Sequence, residues 1–282
     1  MSGTKSILVP LDGSATAERA VPVAAAVGRA TGSPLTFFHA IGESVAEDAG
    51  EFERARKMFD DYARRLASRC GVSEANGPST IEIRQGSAAK LILDAAASSQ
   101  MIVIASHGRG GFHAAIIGSV ADKVVRGATL PVLVVPGTEE ESPFEGAPVL
   151  IAVDGSDASE SALTQGRALA AALKSPVTLV RAYNVPPPVG VEFSYYPVDL
   201  METMQQGAEE YLQKVALPGE GTYLAQGQPW QVIIEAAKSN QAGLVVMASA
   251  GKGLASRLTL GSQTDRVLHS LHRPLLIVPI AE

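Results

Sequence analysis

The chain is written twice. Ile7-Leu8-Val9-Pro10-Leu11-Asp12-Gly13-Ser14 returns as Leu150-Ile151-Ala152-Val153-Asp154-Gly155-Ser156, which sets Asp154 against Asp12. In almost the same register Gly118-Ser119 recurs as Gly261-Ser262, and the run from Pro131 to Pro136 recurs as Pro274 to Pro279. A register that drifts so little across half a chain means two copies of one domain. The length of 282 residues agrees, because ordinary domains run to roughly 100–200 residues. Between the copies, Gly137 to Gly146 is acidic, carries Pro143 and has no periodicity, as a solvated linker should. The expected domains are 1–138 and 147–282.

Within each copy, short runs of Val, Ile and Leu alternate with longer amphipathic stretches, the pattern of βαβ units around a parallel sheet. In the first copy strands are expected near 5–11, 35–41, 80–85, 101–106 and 131–135. The clearest helix is 50–69, where Phe52, Ala55, Phe59, Tyr62, Ala63 and Leu66 share a face. Its counterpart carries Met201, Met204, Ala208, Tyr211, Leu212 and Val215, read as a face packed on the sheet rather than as a cofactor box. Pro22 should kink the first helix or delay its start. The segment from Asn184 to Val198 has no equally Pro-rich equivalent in the first copy and reads as a lid, a partner site or a surface insertion.

Composition narrows the function classes. With 23 Lys and Arg against 29 Asp and Glu, and no basic run beyond a pair, the chain offers no stripe for a nucleic acid or an anionic membrane. Hydrophobic residues at 46% and charged residues at 18% suit a globular core. A single cysteine, Cys70, excludes an internal disulfide or a cysteine-based metal cluster and reads as a buried or half-buried helix residue. No stretch approaches the ~18 apolar residues of a membrane span, so the cytoplasm is the expected compartment.

Ligands of open α/β sheets bind beyond the carboxyl ends of the strands, at the switch point of the topology. Asp12 and Asp154 each end a first strand before Gly-Ser. Such a carboxylate can accept from a ribose hydroxyl, hold a metal, or cap the following helix. The fourth strand ends in Ser106-His107-Gly108-Arg109-Gly110-Gly111 and is followed by Gly118-Ser119-Val120 at a helix start. Copy two repeats this as Ser249-Ala250-Gly251-Lys252-Gly253 and Gly261-Ser262-Gln263. Glycines there let backbone N–H groups approach a phosphate, and the helix start adds a positive dipole.

These residues resemble the universal stress proteins in their tandem-domain form, over nearly the whole chain. The nucleotide-binding members of that family carry G-x2-G-x9-G-[ST]. Here nine residues separate Gly108 from Gly118 and Gly251 from Gly261, each pair closing on a serine, while Ala105 and Ala248 replace the first glycine. The resemblance implies two flavodoxin-like or Rossmann-like α/β domains, each a five-stranded parallel sheet of order 3-2-1-4-5 flanked by helices. It also implies an ATP-binding stress-response regulator with little or no turnover, and Mg2+ as the accompanying cation. By analogy the adenosine would lie at Pro10, Leu11, Asp12 and Ala40, and at Ala152, Val153, Asp154 and Ala182. The phosphates would rest on Ile104, Ala105, His107, Gly108, Gly118, Ser119 and Val120, and on Met247, Ala248, Gly251, Gly261, Ser262 and Gln263. Asp12 and Asp154 are the candidate metal ligands. Expected partners are an adenine nucleotide and an unidentified regulatory protein, with a homodimer of two-copy chains as a further assembly.

Enzyme signatures are absent: there is no G-x4-G-K-[ST] loop, no H-x-G-H, no S-G-G-x-D-S and no G-x-S-x-G. The alternatives to a nucleotide-dependent regulator are a nucleotide-free interaction module of the same family and a slow ATPase. His107, opposite Ala250 in the second copy, reads either as a loop residue or as a phosphate contact. If protonated, it makes the first site the tighter by about tenfold, since a charge-assisted hydrogen bond contributes roughly 1.5–3 kcal/mol. His39 is replaced by Arg181, which argues against an obligatory role. His113, His269 and His272 read as surface or helix positions.

Overall fold

The computed structural model describes residues 5–42, 49–72, 79–107, 117–137, 144–184, 198–250 and 260–280. The first copy runs β1 (Ser6–Pro10), α1 (Ala15–Glu18), α2 (Ala20–Thr31), β2 (Leu35–Ile41), α3 (Ala49–Arg69), β3 (Thr80–Gln85), α4 (Ala88–Ala96), β4 (Ser99–Ala105), α5 (Ser119–Gly127) and β5 (Val132–Val135). The second runs β6 (Val149–Ala152), α6 (Asp157–Ala172), β7 (Val177–Tyr183), α7 (Val198–Val215), β8 (Gly221–Gln226), α8 (Pro229–Ser239), β9 (Leu244–Ala248), α9 (Ser262–Ser270) and β10 (Leu275–Val278).

All ten strands join one sheet of order β3-β2-β1-β4-β5-β10-β9-β6-β7-β8, so each half has the expected order 3-2-1-4-5. The ladders within each half are parallel. The halves meet where β5 and β10 pair antiparallel, with Leu133 opposite Leu276. Either strand alone would be an apolar edge, a template for aggregation. Pairing the two copies of the same strand around a pseudo-twofold axis removes both edges at once.

A parallel sheet covered on both faces needs strands that are apolar throughout. Alternation then divides each strand between two cores. Ile7 and Val9 of β1, with Val103, Leu133, Ile151 and Val246, face the side covered by α1, α2, α3, α6 and α7. Leu8, with Ile102, Val134, Leu150 and Val245, faces α4, α5, α8 and α9.

The break expected at Pro22 falls just before it: α1 ends at Glu18 and α2 begins at Ala20, with Arg19 between them. The expected helix at 50–69 is α3, whose Phe59, Ala63 and Leu66 are buried. Its counterpart departs from expectation. Met201 and Met204 of α7 are each 39% exposed, and burial begins only at Ala208 and Leu212. Cys70 is half-buried just past α3, and burial pushes its thiol pKa up, away from reactivity. The segment 184–198 lies almost entirely outside the described residues. Among the described residues no helix is long and apolar enough to cross a membrane.

Candidate functional site

In both halves the chain leaves the first strand, builds outward, and returns beside it through the fourth strand, so the switch point lies between β1 and β4 and between β6 and β9. The same local structure closes both first strands. Asp12 Oδ1 accepts from the Ser14 N–H at 2.9 Å and from its hydroxyl at 2.6 Å, and Ser14 Oγ accepts from Ala17 N–H at 3.1 Å. In copy two, Asp154 Oδ1 accepts from Ser156 N–H at 2.9 Å and Oγ at 2.6 Å, and Ser156 Oγ accepts from Ser159 N–H at 3.2 Å. Gly13 and Gly155 make the turn at φ +82° and +78°, where a side chain would be strained. The helix cap is therefore the serine, and the aspartate orients it, so neither Asp12 nor Asp154 is itself the cap.

The second element is the start of α5 and of α9. Gly118 N–H donates to the Ser106 carbonyl at 2.7 Å and Gly261 N–H to the Ser249 carbonyl at 2.8 Å, which ties each helix start to the end of the fourth strand. The approach at Gly261 is close: a Cβ there would lie 3.1 Å from Ala250 Cα, so that backbone would have to shift by a few tenths of an ångström to admit a side chain. The first intrahelical bonds are Asp122 N–H to Gly118 at 2.9 Å and Asp265 N–H to Gly261 at 2.8 Å, so the amides of Ser119 to Ala121 and Ser262 to Thr264 precede the helical ladder. Gly108 and Gly251, with Arg109, Lys252 and His113, lie outside the described residues.

A cavity sits at each switch point. That of the first copy has a volume of about 850 Å³. Its lining contains every described residue expected there, namely Pro10, Leu11, Asp12, Ala40, Ile104, Ala105, His107, Gly118, Ser119 and Val120. Phe38, Ala88 and Ile92 add an apolar wall that sequence reasoning passed over, although their strand and helix positions were legible. The second cavity, about 220 Å³, is lined by Ala152, Val153, Asp154, Ala182, Met247, Ala248, Gly261, Ser262 and Gln263, together with Pro229 and Ile233. Ala105 and Ala248 belong to the core on the α1–α3 and α6–α7 side, whereas the preceding Ile104 and Met247 belong to the other. The methyl groups that replace the family's glycines thus pack on the face opposite Ile104 and Met247.

His107 departs from the charged role considered for it. Gly137 N–H donates to Ser106 Oγ at 3.1 Å, and the same hydroxyl is hydrogen-bonded to His107 Nδ1 at 2.8 Å. The Nε2 of His107 is buried without a hydrogen-bond partner among the described residues. Burial pushes the imidazole pKa below its ordinary 6.5, so His107 is neutral at pH 7 and adds no charge to the site. His39 is turned away to other work, with Nδ1 bonded to the Leu11 carbonyl at 2.7 Å and its ring stacked on Phe59.

The first cavity also reaches the seam between the copies. Arg126 of α5 donates to Asp122 at 2.8 Å and across the seam to Asp265 of α9 at 2.5 Å. Asp122, Arg126, Asp265 and His269 all line this cavity. His269, expected merely on a helix surface, is the pseudo-equivalent of Arg126, since the register that sets Gly261 against Gly118 also sets His269 against Arg126. Among the described residues no three His, Cys, Asp or Glu side chains converge as a metal site, so Asp12 and Asp154 would each supply a single carboxylate to a cation.

A profile of the universal stress protein family matches residues 3–136 and 147–279. A universal stress protein of Mycolicibacterium smegmatis is 31% identical over 291 residues, covering 96% of each chain. One from Mycobacterium tuberculosis is 26% identical over 299 residues, covering 98% of this chain and 97% of its own. Among solved structures, a universal stress protein from Archaeoglobus fulgidus superposes with a TM-score of 0.68 at 18% identity, over 97% of this chain and 98% of that one.

Proposed function

The chain belongs to the universal stress protein family in a two-copy form, and from that premise we propose that it is an adenine-nucleotide-binding regulator whose first copy carries the ligand. One observation supports this above the rest. The cavity of about 850 Å³ at the first switch point gathers an apolar slot, a carboxylate and the open start of a helix, and known small-molecule sites run to roughly 300–1,000 Å³. Phe38, Ala40, Ala88 and Ile92 would take the flat, apolar base. Asp12 would accept from a ribose hydroxyl, and the amides of Ser119 to Ala121 would take phosphate oxygens with the favourable dipole of α5. Asp12, Asp122 and Asp265 outnumber Arg126 on the wall, so a phosphate-bearing ligand would enter with a divalent cation, which keeps most of its ligands as phosphate oxygens and water.

Regulation rather than turnover fits the site. The hydroxyl–imidazole pair in its described lining, Ser106 with His107 at 2.8 Å, has its serine buried and already engaged by the Gly137 N–H, so we read it as holding the end of β4 rather than as an activated nucleophile. The test is to denature freshly purified protein and identify the released small molecule by mass spectrometry. Adenine nucleotide at a substantial fraction of the chain concentration is expected; its absence, together with no binding of added ATP, would leave the interaction-module alternative.

A further inference from the structure

We propose that the chain binds one nucleotide, in the first copy, and that Gln263 holds the corresponding site of the second copy shut. The proposal rests on the nucleotide reading above. The two cavities occupy pseudo-equivalent positions, yet one has about 850 Å³ and the other about 220 Å³. Only the first falls in the range that accommodates an ordinary small-molecule ligand, roughly 300–1,000 Å³.

Side-chain changes run both ways between the two walls, since Ala88, Val120 and Ala121 of the first give way to the larger Pro229, Gln263 and Thr264 of the second. Phe38 and His107 of the first wall are replaced by the smaller Val180 and Ala250 in the second, and cavity two is smaller nonetheless. The closure comes from two struts that the first copy lacks. Gln263 Oε1 accepts from the Trp230 N–H at 3.2 Å, joining the first turn of α9 to the first turn of α8. Its counterpart Val120 has no acceptor to offer, and Ser87 makes no side-chain cap at the start of α4. Thr264 Oγ1 donates to the Ala248 carbonyl at 2.9 Å, fixing α9 on the end of β9; its counterpart Ala121 has no hydroxyl. Pro229 replaces Ala88 at the mouth. The start of α8 in the second copy is therefore already bonded from within the chain, by the side chain that stands at the mouth of the cavity.

The second copy has a different task. Its Asp265 and His269 line the cavity of the first copy, whereas every described residue lining cavity two comes from the second copy itself. The duplication has divided the work, with one copy holding the ligand and the other completing its wall.

Titration calorimetry of the full nucleotide-stripped chain with Mg·ATP tests this. The wild type should bind one equivalent, Gly118→Asp should abolish binding, and Gln263→Val with Thr264→Ala should raise the stoichiometry to two. Gln263→Glu, which keeps an acceptor for Trp230, should stay at one and controls for damage to the fold. A wild-type stoichiometry of two, or an opened variant that unfolds at the wild-type midpoint and still binds only one, overturns the proposal. No heat from the wild type and from the opened variant alike would instead remove the nucleotide reading on which it rests.

Discussion

Asp12 carries two duties that different substitutions separate. Its Oδ1 accepts two hydrogen bonds from Ser14, at 2.9 and 2.6 Å, and thereby aims the serine that caps α1. Hydrogen bonds to a charged group contribute roughly 1.5–3 kcal/mol each, and an N-cap about 1 kcal/mol. The turn is only partly buried, so water would replace part of what Asp12→Ala removes, and a loss of about 2–3 kcal/mol is expected. Asp12→Asn presents an amide oxygen in the same place and should cost about 1 kcal/mol or less. For the ligand the order reverses in meaning: the neutral amide loses a charge-assisted bond to a ribose hydroxyl, so Asn should weaken ATP binding on the order of 10- to 100-fold while leaving the fold nearly intact. Asp154→Asn is the internal control, equally mild in stability because its turn repeats the same bonds at matching lengths, and silent in binding if cavity two is shut. Urea unfolding and calorimetry on the four proteins provide both numbers. Equal stability of the Ala and Asn variants would refute the turn's role, and wild-type affinity in Asp12→Asn would refute the contact with ligand.

Three further outcomes follow from the packing. Glu220 is pushed up by burial, but hydrogen bonds from Arg167 at 2.6 and 2.7 Å and from Leu217 N–H outweigh this and hold its pKa below the ordinary 4.5. Its stabilisation is present above pH ~4.5 and lost as pH falls through the lower folded value, so Glu220→Gln should cost about 1.5–3 kcal/mol at neutral pH and flatten that acid limb of the unfolding midpoint. His107 has the opposite chemistry. Its folded pKa lies below 6.5, so the unfolded chain takes up the proton first and stability falls as pH drops through about 6.5; urea midpoints of His107→Gln across that window should fall less steeply than those of the wild type. In α6, a Cβ on Gly166 would lie 2.8 Å from Ile151 Cδ1 and 3.2 Å from Val246 Cγ1. Overpacking of about 1–3 kcal/mol should outweigh the ~1 kcal/mol gained in helix propensity by Gly166→Ala, and Ile151→Val in the same chain, which deletes the clashing methyl, should restore part of the loss on urea unfolding.

The architecture was legible because the repeat and the apolar runs are both local. Once Asp12 and Asp154 are matched, each strand of one copy confirms its partner in the other, and Val132 to Val135 announces an edge that must be covered. What escaped were relations between residues far apart in sequence. Asp12 reads alone as a cap or as a ligand; only its bonds to Ser14 show that the serine caps and the aspartate steers it. The closure of the second site depends on Gln263 meeting Trp230, 33 positions away, and no motif marks that contact. His107 reads from the sequence either as a loop residue or as a phosphate contact, because sequence shows its type and not its burial. Met201 and Met204 fit the helical stripe of α7 but are exposed, since periodicity fixes a face and not how far along the helix that face is covered.

The most direct measurement is a crystal structure of the full chain grown with Mg·ATP. The account predicts nucleotide in the first cavity alone, its ribose at Asp12 and its phosphates at the amides of Ser119 to Ala121, with the Gln263 to Trp230 bond intact in the second copy. Nucleotide seated in the second copy, or bound away from both switch points, would contradict it.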